Sequence, residues 1–94
     1  MFEISMTAEG NVELRGRLDA SQVEQTREVL NRIDSSCEVD FGDLTYISSA
    51  GLGILFATQK RLVDAGHGLR LVNLNPHIRE LFHIGGFDTI FEIG

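Results

Sequence analysis

An apolar run stops at two serines, Ser48-Ser49, and the chain resumes as the small, glycine-spaced segment Ala50-Gly51-Leu52-Gly53-Ile54-Leu55. A strand end meeting a helix start in this way most limits what the chain can fold into. It also puts a hydroxyl at a helix N-terminus, where free backbone N–H groups and the positive end of the helix dipole favour an anion. The glycines keep the surrounding surface low, so that a partner's backbone can come close. Two readings of the junction stand side by side. One is a serine that caps its helix among small residues that pack well, and the other is a phosphorylatable serine in a docking surface.

Around this junction the chain alternates between strand and helix patterns. Apolar alternation over Phe2–Ala8 and Val12–Leu18 predicts two strands, with Glu9-Gly10-Asn11 as the hairpin turn. The second strand places Val12, Leu14, Gly16 and Leu18 on one face. Ser21-Gln22-Val23-Glu24 has the spacing of a capping box, serine at N-cap and glutamate at N3, for a helix to about Asp34. Val23, Thr26, Leu30 and Ile33 form its apolar face. After Ser35-Ser36, a short strand is expected over Cys37–Phe41, with Gly42-Asp43-Leu44-Thr45 turning the chain toward the serine pair.

The second helix is expected from about Ser49 to Asp64, burying Leu52, Leu55, Phe56, Leu62 and Val63, with Gly66 at its C′ position. Leu69–Leu74 reads as a strand buried on both faces. Asn75-Pro76 supplies an N-cap and an N1 proline for a short third helix through about His83. Gly85-Gly86 breaks that helix, and Thr89–Ile93 closes the chain as a last strand. The order ββαβαβαβ predicts one α/β domain over residues 1–94, a mixed sheet of four to five strands packed with helices and joined by right-handed crossovers.

Composition narrows the chemistry. Ninety-four residues with 43% hydrophobic content suit a single globular core. The net charge of −6, from 14 acidic against 8 basic side chains, repels phosphate backbones and anionic lipid, so neither nucleic acid nor a membrane is the expected partner. No apolar run approaches the roughly 20 residues that span a bilayer, and no signal peptide opens the chain, so cytoplasm is the expected location. The single cysteine, Cys37, rules out an internal disulfide and any multi-cysteine zinc site, and it is expected to be a small, buried or half-buried residue. His67, His77 and His83 fall in no metal-ligand spacing, and His83 suits the C-terminal end of a helix dipole. Ile47-Ser48 ahead of Ser49 breaks the Gly-x-Ser-x-Gly elbow of serine hydrolases. Gly51-x-Gly53 is too short for a dinucleotide fingerprint and lacks the ending of a phosphate loop. No enzyme activity is expected.

Tyr46-Ile47-Ser48-Ser49-Ala50-Gly51-Leu52-Gly53-Ile54-Leu55 resembles the signature of STAS domains, most closely of bacterial anti-sigma factor antagonists. That pattern runs aromatic, apolar, Asp, Ser, Ser or Thr, Gly, Leu, Gly. Gly16-Arg17-Leu18-Asp19-Ala20 resembles the family's Gly-x-Leu-Asp segment, and the order of elements agrees along nearly the whole chain. Two positions depart: the family's Asp before the serine is Ser48 here, and the small polar residue after it is Ala50.

The resemblance implies a single STAS domain with Ser49 as the phosphorylation site. It implies a partner-binding surface drawn from Asp19, Ser21, Ser48, Ala50, Gly51, Leu52 and Gly53. The implied partner is an anti-sigma factor with serine kinase activity, of the histidine-kinase-like ATPase type. It would bind the unphosphorylated chain, so freeing a sigma factor, and would phosphorylate Ser49 from ATP, with a serine phosphatase to reverse the step. Nucleotide and magnesium would belong to the kinase, leaving no catalytic residue, metal or cofactor here. STAS domains often carry a further helix after the final strand, which this chain lacks up to Gly94, and a homodimer across the uncovered face stays open. Two alternatives remain: an adaptor subunit of a lipid-transport ABC system, and a signalling partner without a transcriptional role. On spacing alone, Asp19 reads equally as a neighbour of Ser49 or as a loop residue bonding its own turn.

Overall fold

The computed structural model describes all residues, Met1–Gly94. The elements are β1 (Phe2–Met6), β2 (Val12–Leu18), α1 (Val23–Leu30), β3 (Cys37–Ile47), α2 (Ser49–Asp64), β4 (Leu69–Val72), α3 (Pro76–Ile84) and β5 (Glu92–Ile93). This is the order expected from the sequence. The five strands form one sheet in the order β1-β2-β3-β4-β5, with β1 antiparallel to β2 and every later pair parallel. Each crossover therefore steps in the same direction across the sheet. Right-handed connections then put α1, α2 and α3 on one face and leave the other to solvent.

The core lies between that face and the helices. Val12, Leu14 and Leu18 of β2, Phe41 and Ile47 of β3, and Leu69 and Leu71 of β4 are all buried there. Phe82 of α3 meets Phe41 edge-on, with ring centroids 6.0 Å apart. On the open face Arg70 pairs with Glu38 at 2.9 Å and Glu92 at 3.7 Å. The expectation that β4 is buried on both faces is thus corrected: the sheet has a single helical layer, and Arg70 belongs to the wet side.

The predicted turn at Gly42–Thr45 is also corrected. β3 runs unbroken through it for 11 residues, and two register shifts against β2 each absorb one extra residue of β3. The buried positions Val39, Phe41, Leu44 and Ile47 follow spacings of two, three and three for this reason, so each bulge returns an apolar side chain to the core. The Asp40 carboxylate accepts from Gly42 N at 2.8 Å and braces the first bulge. On β2, Gly16 takes φ +87°, and a Cβ there would stand 2.1 Å from the Met1 carbonyl oxygen, so only glycine lets β1 close on it.

Helix α2 keeps its expected bounds, but its buried face is rotated. Gly51, Ile54, Leu55, Thr58, Gln59 and Leu62 face inward, while Phe56 and Val63 are exposed and Leu52 is half-buried. Gly51 sits against Leu18 and Ile47 and sets the rotation. Phe56 and Val63 then lie about 140° and 120° round the helix from it, on the solvent side. Buried Gln59 ties two neighbours to α2, accepting from Leu69 N at 2.7 Å and donating to the Ile90 carbonyl at 2.8 Å.

Ends differ more than elements do. α1 stops at Leu30, not Asp34, where Arg61 donates to the carbonyls of Leu30 (3.0 Å) and Ile33 (2.8 Å). β1 ends at Met6 and β4 at Val72. The last strand shrinks to Glu92–Ile93 behind a 3₁₀ turn at Phe87–Thr89. Asn75 caps α3 as expected, accepting from Ile78 N at 2.9 Å. Gly66, at φ +86°, follows α2 as expected, and His67 N reaches back to the Leu62 carbonyl at 2.8 Å.

Candidate docking and phosphorylation site

Strands β2 and β3 run parallel and end level, with Leu18 paired to Ile47. The segments that follow them therefore leave the sheet side by side at its carboxyl edge, where open α/β sheets place their sites. Ser48 N donates to the Leu18 carbonyl at 2.8 Å and stitches the two exits together. Asp19 and the serine pair are brought to one edge in this way.

The two serines have different jobs. Ser48 is the N-cap of α2: its backbone is extended, its Oγ accepts from Gly51 N at 3.2 Å, and its carbonyl accepts from Leu52 N at 3.0 Å. Ser49 is the first helical residue, and its side chain is exposed. Capping is thus satisfied by Ser48, and Ser49 takes no part in it. An Asp in place of Ser48 would cap the same helix about equally well, so the departure from the family pattern preserves this role.

Asp19 makes the capping box that the sequence suggested for Ser21 and Glu24. Its carboxylate accepts from Ser21 N at 3.0 Å and from Ser21 Oγ at 2.6 Å, while Gln22 Oε1 accepts from Asp19 N at 2.9 Å. The box therefore opens the 3₁₀ turn Ala20–Gln22 that leads into α1, two residues ahead of the expected position. Ser21 is exposed and serves as donor, and Glu24 instead pairs with Arg27 on the outer face of α1. The Ser21 hydroxyl, then the Ser21 backbone N–H, hold the Asp19 carboxyl below its ordinary pKa. Two residues before Asp19, Arg17 lies over the Tyr46 ring, 4.3 Å from its centroid.

Beyond Ser49 the small residues divide. Gly51 is buried, and a Cβ there would stand 2.8 Å from Leu18 Cγ and 3.0 Å from Ile47 Cγ1. Gly53 is exposed, and a Cβ there would meet nothing within 4 Å. A glycine inside a helix costs roughly 0.5–1 kcal/mol against alanine. The chain's own packing accounts for that cost at Gly51 but not at Gly53. Ala50 and Leu52 are half-buried on either side of Gly51, Leu52 against the core.

Gly53 also lines a groove of about 510 Å³ between α1 and α2, with Val23, Arg27, Ala50, Ala57 and Arg61 among its other lining residues. Sequence reasoning missed this groove. Its one linear trace is the small-residue spacing Ala50, Gly53, Ala57, which has meaning only once α1 lies alongside. Cys37 is half-buried, and burial, with Glu38 beside it, pushes its thiol pKa up. No three His, Cys, Asp or Glu side chains come together so as to hold a metal ion, and no helix is long and apolar enough to cross a membrane.

The family described as Mlab, STAS domain, matches residues 3–92. The chain belongs to the STAS domain family. This STAS domain is 37% identical over 84 residues to BtrV of Bordetella bronchiseptica, named as an anti-sigma factor antagonist, with 85% of this chain and 72% of that protein covered. It is 29% identical over 85 residues to the anti-sigma-B factor antagonist of Bacillus subtilis, with 87% and 78% covered. Its fold matches the anti-sigma factor antagonist SpoIIAA in its unphosphorylated and phosphorylated forms. The TM-scores are 0.73 and 0.72 at 23% identity, over all of this chain and 87% and 91% of those chains.

Proposed function

We propose that this STAS domain is an anti-sigma factor antagonist, switched by phosphorylation of Ser49. Unphosphorylated, it docks its carboxyl edge, Asp19 with the start of α2, on a kinase-type anti-sigma factor and so releases a sigma factor. The names of its relatives support the partner class. The observation that carries the switch is the division of labour between Ser48 and Ser49. With the cap made by Ser48, a phosphate of roughly −1.5 to −2 charges on Ser49 meets a helix N-terminus that tolerates it and a docked partner that does not. Fold and binding are thereby uncoupled, as a reversible switch requires, and a serine phosphatase completes the cycle. On this reading the chain binds and is modified but catalyses nothing, and it works in the cytoplasm.

Kinase-type anti-sigma factors encoded in the same genome, each purified and supplied with ATP, test this. One of them should bind the chain and leave phosphate on Ser49, mapped by peptide mass spectrometry, and the phosphorylated chain should no longer bind. Phosphate on Ser48, or incorporation undiminished in Ser49→Ala, would overturn the assignment. Ser48 in the family's Asp position favours one second reading, a structural adaptor of a lipid-transport ABC system. That reading predicts stable binding to a transporter ATPase and no phosphate from any of these kinases.

A further inference from the structure

Arg17 stands across from Tyr46, one rung before the Leu18–Ile47 pair from which Asp19 and Ser48 leave the sheet. Leu18 and Ile47 are buried under the helices, and alternation turns Arg17 and Tyr46 to the opposite, open face. Arg15 and Arg70 share that face, and both are paired there: Arg15 with Asp43 at 3.8 Å, Arg70 with Glu38 at 2.9 Å and Glu92 at 3.7 Å. Arg17 forms no ion pair. Its guanidinium lies over the Tyr46 ring, 4.3 Å from the centroid. The nearest acid in sequence, Asp19, gives its carboxylate to Ser21 instead, at 2.6 Å from the hydroxyl and 3.0 Å from the backbone N–H. Those two bonds do most to hold the Asp19 carboxyl low, and the Arg17 charge only adds to them. A guanidinium over a ring keeps its in-plane N–H donors for another partner, and the ring restrains the side chain, so a carboxylate can be taken bidentately at little cost in entropy. In the Gly-x-Leu-Asp segment Arg17 holds the position that the pattern leaves open, whereas Tyr46 holds the aromatic position of the serine signature. A side chain of free choice, seated on a prescribed one, is placed to tell partners apart.

We propose that Arg17 is the specificity residue of the docking edge: seated on Tyr46, it takes a carboxylate side chain of the anti-sigma factor. Docking then wraps from the Ser49 edge onto the end of the open face of the sheet. This contact rests on the anti-sigma factor reading of the Ser49 edge and adds to it. In a chain of net charge −6, most of the surface repels an acidic side chain, and an unpaired arginine beside the docking edge is where one is favoured. An anti-sigma factor with a base at that place is repelled, which is how a single residue discriminates among related partners.

The test is calorimetric titration of the full chain against the kinase-type anti-sigma factor that the wild type binds, with a melting curve and kinase kinetics for each variant. Arg17→Gln should raise Kd by about tenfold, and Arg17→Glu by more. Both should melt close to the wild type, since the side chain is exposed and holds no carboxylate of the fold. Arg17→Lys keeps the charge but loses the planar fork, and should fall between the wild type and Arg17→Gln. Added salt should weaken the wild type more than Arg17→Gln. In the kinase assay the loss should appear in KM and spare kcat, as a docking contact requires. An anti-sigma factor with lysine in place of the contacting acid should bind Arg17→Glu better than it binds the wild type. If Arg17→Gln and Arg17→Glu bind as well as the wild type while Ser49→Asp does not, the Arg17 contact is overturned and the Ser49 switch stands. A fall in melting temperature that tracks the loss of binding makes Arg17 a structural residue and overturns it too. If the wild type binds no anti-sigma factor, the functional reading falls and the Arg17 contact with it.

Discussion

Gly51 of α2 lies so close to Leu18 of β2 that a Cβ on it would stand 2.8 Å from Leu18 Cγ, nearer than side chains pack. The first turn of α2 rests directly on the ends of β2 and β3, and this contact sets the rotation of the whole helix. Gly51→Ala should therefore destabilise the domain by about 1–3 kcal/mol through overpacking, despite alanine's better helix propensity. Gly53→Ala should instead stabilise it by about 0.5–1 kcal/mol. Urea denaturation of the two variants measures both. Equal effects would mean that Gly51 does not set the helix against the sheet.

The serine pair should separate in the same experiment. Ser48→Ala removes the cap of α2 and should cost about 0.5–2 kcal/mol, whereas Ser48→Asp should keep wild-type stability. Ser49→Ala should change stability by less than about 0.5 kcal/mol, since Ser49 is exposed and caps nothing. A large loss in Ser49→Ala would return the capping role to Ser49 and remove the basis for a switch that spares the fold.

Asp19 is open to a comparison of asparagine with alanine. Asparagine can accept the same bonds from Ser21 and is itself a good N-cap, so Asp19→Asn should melt close to the wild type, and Asp19→Ala below it. The folded carboxyl has a depressed pKa, so its contribution is present above the unfolded pKa and is lost as pH falls through the folded one. Asp19→Asn should therefore flatten the acid limb of a stability-against-pH profile. If phosphorylation by the kinase also slows in Asp19→Asn, the carboxylate contributes charge to the site beyond bracing its turn; an unchanged rate confines it to the turn.

His83 supplies a pH dependence of opposite sign. Its Nδ1 lies 2.8 Å from the Asp88 carboxylate across the Gly85-Gly86 turn. The hydrogen bond to Asp88, then the Asp88 charge, raise the His83 pKa above its ordinary value. A raised folded pKa means that the stabilisation is fully present below the unfolded pKa, about 6.5, and is lost as pH rises through the folded one. Proton NMR titration should show the His83 midpoint above the ordinary histidine value, and Asp88→Asn should bring it down. A midpoint unmoved by that substitution would discard the pair as the cause.

Much of this was legible along the chain because it is local. Asn75-Pro76 and Gly66 mark helix ends by conformational preferences that a few neighbouring residues settle, and both stand as the spacing suggested. The capping box was legible in kind but misplaced, since Asp19 with Gln22 and Ser21 with Glu24 have the same spacing and only the exit direction of β2 selects between them. The turn expected at Gly42–Thr45 failed for a different reason. Gly-Asp favours a turn locally, but β2 alongside offers backbone partners as far as Ile47, and two bulges let β3 keep them.

By itself the sequence determined the order of elements, the strand-to-helix junction at Ser48-Ser49 and the family pattern around it, because these rest on periodicity and short-range spacing. Tertiary structure alone decided which face of α2 is inside, which of the two serines caps it, and that α1 lies beside α2 to form a groove. Those outcomes depend on contacts between residues far apart in the chain, Gly51 with Leu18 and Arg61 with the carbonyls of Leu30 and Ile33, and no local preference encodes them.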